Sequence, residues 1–295
     1  MLKLFINRLA VIDFSILDED VGLIGSSLTV NVHVDGELNQ ESIIMDFSVI
    51  KETIRRVIDD LVDHVLIVPV RNERVQVRSS EKNIHVSLVQ PDGLLRCFIS
   101  GHWGAFLLLP LKTVTVRDLE ELIEGVVLAE LPDEVKSVKI YLEPEMIEGA
   151  RYHYSHGLKK HNGNCQRIAH GHRSAIHIYV DGKRSQKLEK YWAERWNNTY
   201  LVTEEDLVSV EQLSSYAASL WHPELIASAY HSSQGRFELL TLKEDTDILP
   251  GDTTVESLAL YIHSVLRAQL PGVMLEVHAF EGIDKGAIVA KHTDY

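Results

Sequence analysis

The chain has little cysteine, little proline and a deficit of basic residues, and each shortage excludes something. Two cysteines, Cys97 and Cys165, among 295 residues are too few for the disulfide frameworks that hold small secreted domains together. Two free thiols in a reducing compartment are expected instead. The eight prolines form no Pro/Ser-rich linker or low-complexity stretch. Lys and Arg number 29 against 43 Asp and Glu, a formal charge of -14, which argues against nucleic acid as a partner because phosphate contacts need clustered cations. A small phosphorylated substrate would need only a local basic pocket. Nowhere do about 18 apolar residues run uninterrupted, and the opening MLKLFINRLAVIDF lacks the apolar core and small-residue cleavage site of a leader. No membrane association and a cytoplasmic location are therefore expected. No Gly-rich nucleotide fingerprint follows a strand, so no redox cofactor is expected either.

What is present is a duplication. With 45% hydrophobic residues the chain can fill two cores of about 150 residues each. Ile24-Gly25-Ser26 through Val34-Asp35-Gly36 aligns with His170-Gly171-His172 through Val180-Asp181-Gly182, 146 residues apart. Leu28, Val30, Val32 and Val34 alternate as Ile176, Ile178 and Val180 do, the period of a half-buried strand, and Asp-Gly at the end reads as a hairpin turn. Thr115, Leu119, Leu122, Ile123, Val126 and Val127 mark a helix, repeated by Thr254, Leu258, Ile262, Val265 and Leu266, each opening near a capping Thr or Asp. Each helix precedes a short strand with a glutamate, Tyr141-Leu142-Glu143 and Ala279-Phe280-Glu281, at an offset of 138. A further helix is predicted over 48–62, with a counterpart over 205–220. The pattern predicts an α+β fold of two units, 1–149 and 150–295, each an antiparallel sheet with helices on one face.

The chemistry concentrates in Tyr152-His153-Tyr154-Ser155-His156, His161 to Arg167 around Cys165, and His170-Gly171-His172. His170 and His172 are two apart in a strand and share a face. With His156 they can form three imidazoles around one cation, leaving a position open as catalytic zinc sites do. The competing reading is a surface run in a chain with 15 histidines.

These residues resemble the 6-pyruvoyl-tetrahydropterin synthase and 6-carboxy-tetrahydropterin synthase family. Tyr152 to Leu158 is similar to its aromatic-Ser-Ala-x-His-x-Leu stretch, and His170-Gly171-His172 to its His-Gly-His, with Cys165 upstream. Met45-Asp46-Phe47 resembles the apolar-Asp-Phe that opens its first helix, Val62-Asp63-His64 its Leu-Asp-His, and Thr253 to Ala259 its Pro-Thr-x-Glu-Asn-Leu-Ala. The resemblance implies tandem tunnelling-fold (T-fold) units that assemble into rings, here a homo-oligomer with a trimer of chains favoured. It implies Zn2+ on His156, His170 and His172, Cys165 as thiolate base, Asp63 and His64 as acid/base relay, and Glu143 or Glu281 as the pterin anchor. Lys159, Lys160, Arg167 and Arg173 are candidates for a triphosphate. The activity implied is a lyase acting on 7,8-dihydroneopterin triphosphate, toward 6-carboxy-tetrahydropterin for queuosine synthesis or toward 6-pyruvoyl-tetrahydropterin. The alternative is a non-catalytic or differently specific pterin- or purine-binding protein.

Departures from the family pattern divide between the halves. Ile24 and Ser26 stand where His170 and His172 stand, so the first unit cannot hold the metal. The second unit lacks the Asp-His pair, with Trp221-His222 as nearest equivalent, and Arg173-Ser174 replaces the family's usual Asn-Tyr. A composite site is expected, joined either within one chain or between chains.

Overall fold

In the computed structural model, which describes residues 2–291, alternating apolar residues build a long hairpin, β1 (Leu2–Asp18) and β2 (Gly22–Gly36). The strands pair antiparallel from Leu2↔Gly36 to Asp18↔Gly22, with a bulge between Ile6 and Ala10. Ile12, Phe14, Val30, Val32 and Val34 point inward and are buried. Helix α1 (Phe47–Leu61), capped by Asp46, closes over them with Ile50, Ile54, Val57 and Ile58. Strands β3 (Leu66–Pro69), β4 (Val75–Ser79), β5 (Asn83–Val89), β6 (Leu95–His102) and β7 (Phe106–Leu109) follow. Helix α2 (Val116–Glu130) opens on a Thr115–Asp118 capping box and buries Leu119, Ile123 and Val127. Strand β8 (Val135–Pro144) completes a sheet of order β7-β3-β1-β2-β8.

The second unit repeats this plan with β9 (Arg151–His156), β10 (His170–Val180), β11 (Lys183–Arg184), α3 (Gln186–Arg195), β12 (Thr199–Thr203) and α4 (Ser215–Leu220). It continues through β13 (Leu225–Ser232), β14 (Gly235–Leu242), β15 (Thr246–Leu249), α5 (Val255–Gln269), β16 (Leu275–Phe280) and β17 (Gly286–Lys291). Its sheet runs β15-β12-β9-β10-β16-β17. The sheets are mixed rather than purely antiparallel: β3 is parallel to β1 and β7, and β12 to β9 and β15. Chain that crosses over through a helix or a meander re-enters at the same end, so parallel pairing follows.

Three sequence expectations change. The counterpart of α1 is α3, not the stretch 205–220, which forms 3-10 turns and the six-residue α4. The apolar stripe of α3 is short because two tryptophans, Trp192 and Trp196, do the packing that four aliphatic residues do in α1. The equivalent of Asp63-His64 after α1 is therefore Asn197-Asn198 after α3, not Trp221-His222. His64 and Asn198 share the left-handed backbone, at φ 55 and 57. Asp181-Gly182 is a tight hairpin turn, with both φ positive, whereas Asp35-Gly36 simply ends β2, paired to β8.

The units are joined in two places. Strand β14 pairs with β6 from Glu238↔Ser100 to Thr241↔Cys97, so a third sheet of order β13-β14-β6-β5-β4 takes strands from both halves. One apolar cluster likewise draws Leu17, Val86 and Ile99 together with Ile168, Val202 and Phe237. Elsewhere the hairpins β1-β2 and β9-β10 meet about a pseudo-twofold axis. Ser15 Oγ lies 2.7 Å from Ser155 Oγ, and the duplicated glycines face each other: a Cβ on Gly171 would lie 2.6 Å from Gly25 Cα, and one on Gly25 1.9 Å from the Tyr154 carbonyl oxygen. Gly25→Ala or Gly171→Ala should therefore destabilise the chain by about 1–3 kcal/mol or more, because rigid backbone must move. Gly125→Ala, in α2 with open space around it, should instead stabilise by up to about 1 kcal/mol. Thermal melts of the three variants check this; an unchanged Tm for Gly25→Ala would contradict the close approach.

Candidate metal and proton-transfer site

Pairing of β9 with β10 sets His170 opposite His156, and the period of two brings His172 onto the same face. All three are buried to within about one percent. One ring nitrogen of each lies within 4.8 Å of the others, and the Nε2 atoms of His156 and His172 are 3.1 Å apart. The other nitrogens face acceptors. His156 Nδ1 lies 3.1 Å from the Thr253 carbonyl and 2.9 Å from its hydroxyl, His170 Nδ1 lies 3.0 Å from the Arg167 carbonyl, and His172 Nδ1 lies 3.2 Å from Asp13 Oδ1. Burial, reinforced by neighbouring imidazoles, holds His156 and His170 well below the usual histidine pKa. Neutral rings with a proton held at Nδ1 present free Nε2 lone pairs, the form a divalent cation takes. The donor set fits a metal.

The first unit supplies the wall of this site. The turn after α1 is closed by the His64 amide donating to the Asp13 carbonyl at 2.7 Å, which brings the His64 ring within 4.9 Å of the His170 ring. His64 Nδ1 is 2.5 Å from Asp63 Oδ2, and donor atoms of His64, Cys165 and His170 also lie within 4.8 Å of one another. Burial opposes charge on His64, but bonding to Asp63 and Cys165 outweighs it and pushes the pKa up to about 10. A protonated imidazole thus stands between a carboxylate and a thiol.

Cys165 rides on the excursion between β9 and β10, in a 3-10 turn over Asn164–Gln166. The Leu158 amide donates to the Cys165 carbonyl at 2.8 Å. The tip of the β13-β14 hairpin grips the next residue: Tyr230 Oη donates to the Gln166 carbonyl at 2.8 Å, and Ser233 donates through N and Oγ to Gln166 Oε1. The other thiol, Cys97, is free and buried, its pKa pushed up to about 12 by desolvation.

Glu281 is near this centre and Glu143 is not. Lys285 Nζ lies 3.6 Å from Glu281 and 3.3 Å from Asp13, whereas Glu143 is exposed on β8 and accepts from Asn31. Sheet register also separates them, since Leu142 faces Val30 as Ala279 faces Ile176. Pro144, not Glu143, thereby takes the place of Glu281. Of the four candidate triphosphate cations, Lys159 is paired with Glu205 and Asp206, and Lys160 with Glu205 and Asp252. Arg167 donates to the carbonyls of Asp63 and His64, and Arg173 to that of Glu145. Sequence reasoning passed over Asp13, although a lone acid inside Val11-Ile12-Asp13-Phe14-Ser15-Ile16 is a signal in itself. It also missed that Ile16 takes the place of His156, given by the Ser15–Ser155 match.

The metal-free chain should be acid-labile for a stated reason. In the unfolded chain His156 and His170 take up protons below about pH 6.5, whereas the folded rings refuse them. Their stabilising contribution is therefore complete above that pH and falls by about 1.4 kcal/mol per pH unit for each ring as pH drops. Denaturant titrations of chelator-treated protein between pH 7 and 5 should show this slope, reduced in a His156→Gln His170→Gln variant; equal slopes would contradict it.

Residues 146–292 match the family model described as 6-pyruvoyl tetrahydropterin synthase. No curated protein matches the chain. The 6-pyruvoyl tetrahydropterin synthase of Plasmodium vivax superposes with a TM-score of 0.40 at 16% identity, over 49% of this chain and 93% of that one. The Plasmodium falciparum enzyme gives 0.39 and 16%, over 48% and 90%. Residues 146–292 thus form a domain of the 6-pyruvoyl tetrahydropterin synthase family.

Proposed function

We propose that the chain is a zinc-dependent lyase acting on 7,8-dihydroneopterin triphosphate and water, forming 6-carboxy-tetrahydropterin in the deazaguanine direction with release of acetaldehyde and triphosphate. The observation that carries this reading is the meeting, in one buried spot, of three imidazoles from the second unit, the Asp63-His64 pair from the first, and Cys165. Zinc held by His156, His170 and His172 would supply a Lewis acid for the substrate's side-chain oxygens, acidifying the adjacent C–H. Cys165, as thiolate, takes that proton. His64, charged and oriented by Asp63, returns one to the far side of the reacting carbon or to its oxygen. Glu281 accepts from the aminopyrimidine edge of the pterin in a bidentate pair. A binder without catalysis would have no use for a thiol and a charged imidazole in contact.

A second reading, another pterin- or purine-like substrate without the triphosphate, is favoured by the internal pairing of Lys159 and Lys160 and by the bonding of Arg167. Mass analysis of purified protein mixed with dihydroneopterin triphosphate decides between them. A pyruvoyl product would change the product assignment; no turnover, with zinc bound, would remove the triphosphate substrate. Metal analysis should give about one zinc per chain, lost in a His170→Ala His172→Ala variant. Cys165→Ala should retain zinc and fold while turnover falls by about 100-fold to 10,000-fold; an unchanged kcat would make the thiol structural.

The relay and the metal ligands belong to the same chain in this reading, since the His64 and His170 rings are in contact. Chains are expected to form a trimer carrying six units, yet the mixing of defective chains should not restore activity. Inactive Asp63→Ala and His170→Ala chains, co-expressed with different tags and purified through both, should stay inactive. Recovered activity would place the composite site between chains.

A further inference from the structure

We infer that Asp13, contributed by the unit that has no metal ligands, is a positioning residue for His172, so that metal affinity in the second unit depends on a carboxylate from the first. The inference rests on the metal reading proposed above and goes beyond it, because Asp13 touches neither substrate nor metal in that scheme. Asp13 lies on β1, is 3% exposed, and sits where the two hairpins cross. Its Oδ1 stands 3.2 Å from His172 Nδ1, without the alignment of an ideal hydrogen bond. A cation on Nε2 obliges Nδ1 to carry the ring's proton, and Asp13 Oδ1 is the acceptor standing at that nitrogen. His156 and His170 use backbone carbonyls for the same purpose, so His172 is the ligand whose partner carries charge.

Asp13 is itself held at three points, two on its carboxylate and one on its backbone. Ser27 Oγ donates to Oδ1, Lys285 Nζ lies 3.3 Å from Oδ2, and the Asp13 backbone amide donates to Asp63 Oδ1 at 2.8 Å. Gly282 makes room: a Cβ there would lie 2.6 Å from Asp13 Oδ1 and 2.8 Å from Ser27 Oγ, and its φ is +65°. A buried carboxylate so fixed cannot rotate away from the ring it faces. The duplication supplies an internal comparison. By the Ser15–Ser155 match the counterpart of Asp13 is His153, whose Nδ1 turns to the Gly25 carbonyl at 2.7 Å, and the counterpart of His172 is Ser26. The acid is present where a histidine faces it and absent where a serine does.

Zinc dissociation constants, measured by competition with a chromophoric chelator, test the assignment on the full chain. Asp13→Ala should weaken zinc by about 10–100-fold, Asp13→Asn by less because an acceptor oxygen remains, and Lys285→Met least, because Ser27 still holds Oδ1. With cobalt(II) in place of zinc, the visible spectrum of Asp13→Ala should shift while that of Lys285→Met should not. Wild-type affinity in a folded Asp13→Ala chain, or in Asp13→Asn if the alanine variant does not fold, overturns the inference and leaves the metal site standing. An equal loss in Lys285→Met would also overturn it, making the ion pair the cause. A wild-type chain that binds no zinc would sink the metal reading together with this one.

Discussion

The crossing of the two hairpins at Gly25 and Gly171 is the contact on which the rest of the molecule depends. Two side-chain-free positions let the backbones of β2 and β10 approach until a Cβ on either would collide with main chain. That approach, with Ser15 bonded to Ser155, fixes how far β1 stands from the ligand strands. Asp13, two residues before Ser15, then falls beside His172, and the turn after α1 carries Asp63 and His64 to His170. Replace the glycines and the first unit stands off from the site it completes.

Duplication about a pseudo-twofold axis creates two equivalent positions, and only one of them carries the three imidazoles. His156, His170 and His172 match Ile16, Ile24 and Ser26; Asp63-His64 matches Asn197-Asn198. Burying three imidazoles without a cation costs desolvation and mutual repulsion on protonation, so a site that has lost one ligand gains stability from apolar replacements. Ile16 and Ile24 stand at two of the three equivalent positions. On the side without the imidazoles asparagines stand in place of the Asp-His pair, and the left-handed turn is kept. Asn198 keeps it, because asparagine tolerates positive φ better than most residues.

Much of this was legible in the sequence. Period-two alternation gave β2 and β10, the threonine-capped stripes gave α2 and α5, and the spacing of His170 and His172 gave a shared face, because these signals are local and unambiguous. The weak readings have physical causes. Helix α3 packs through two tryptophans and buries Glu189 against Arg184, so its apolar stripe is short. The Glu143–Glu281 alignment slipped by one residue, and in a strand one residue reverses the face. Asp13 belongs to no local pattern, since its partner is 159 positions away in the chain.

The third sheet explains why Cys165 could be carried by one unit alone. The connection between β1 and β2 is a short turn, whereas that between β9 and β10 spans 157–169 and would be loose if nothing held it. Its hydrogen bonds go to Tyr230, Ser233 and Gln234 at the tip of β13-β14 and to Tyr200 on β12. That hairpin is anchored in turn by β6 of the first unit, and Gly157 lets the Tyr230 hydroxyl come within 2.2 Å of where a Cβ would stand. The unit without the three imidazoles therefore acts on the candidate site twice, through Asp13 and the Asp63-His64 turn on one side and through the sheet that steadies the thiol loop on the other. Residues far from any metal would then be constrained by the geometry of one thiol and three imidazoles.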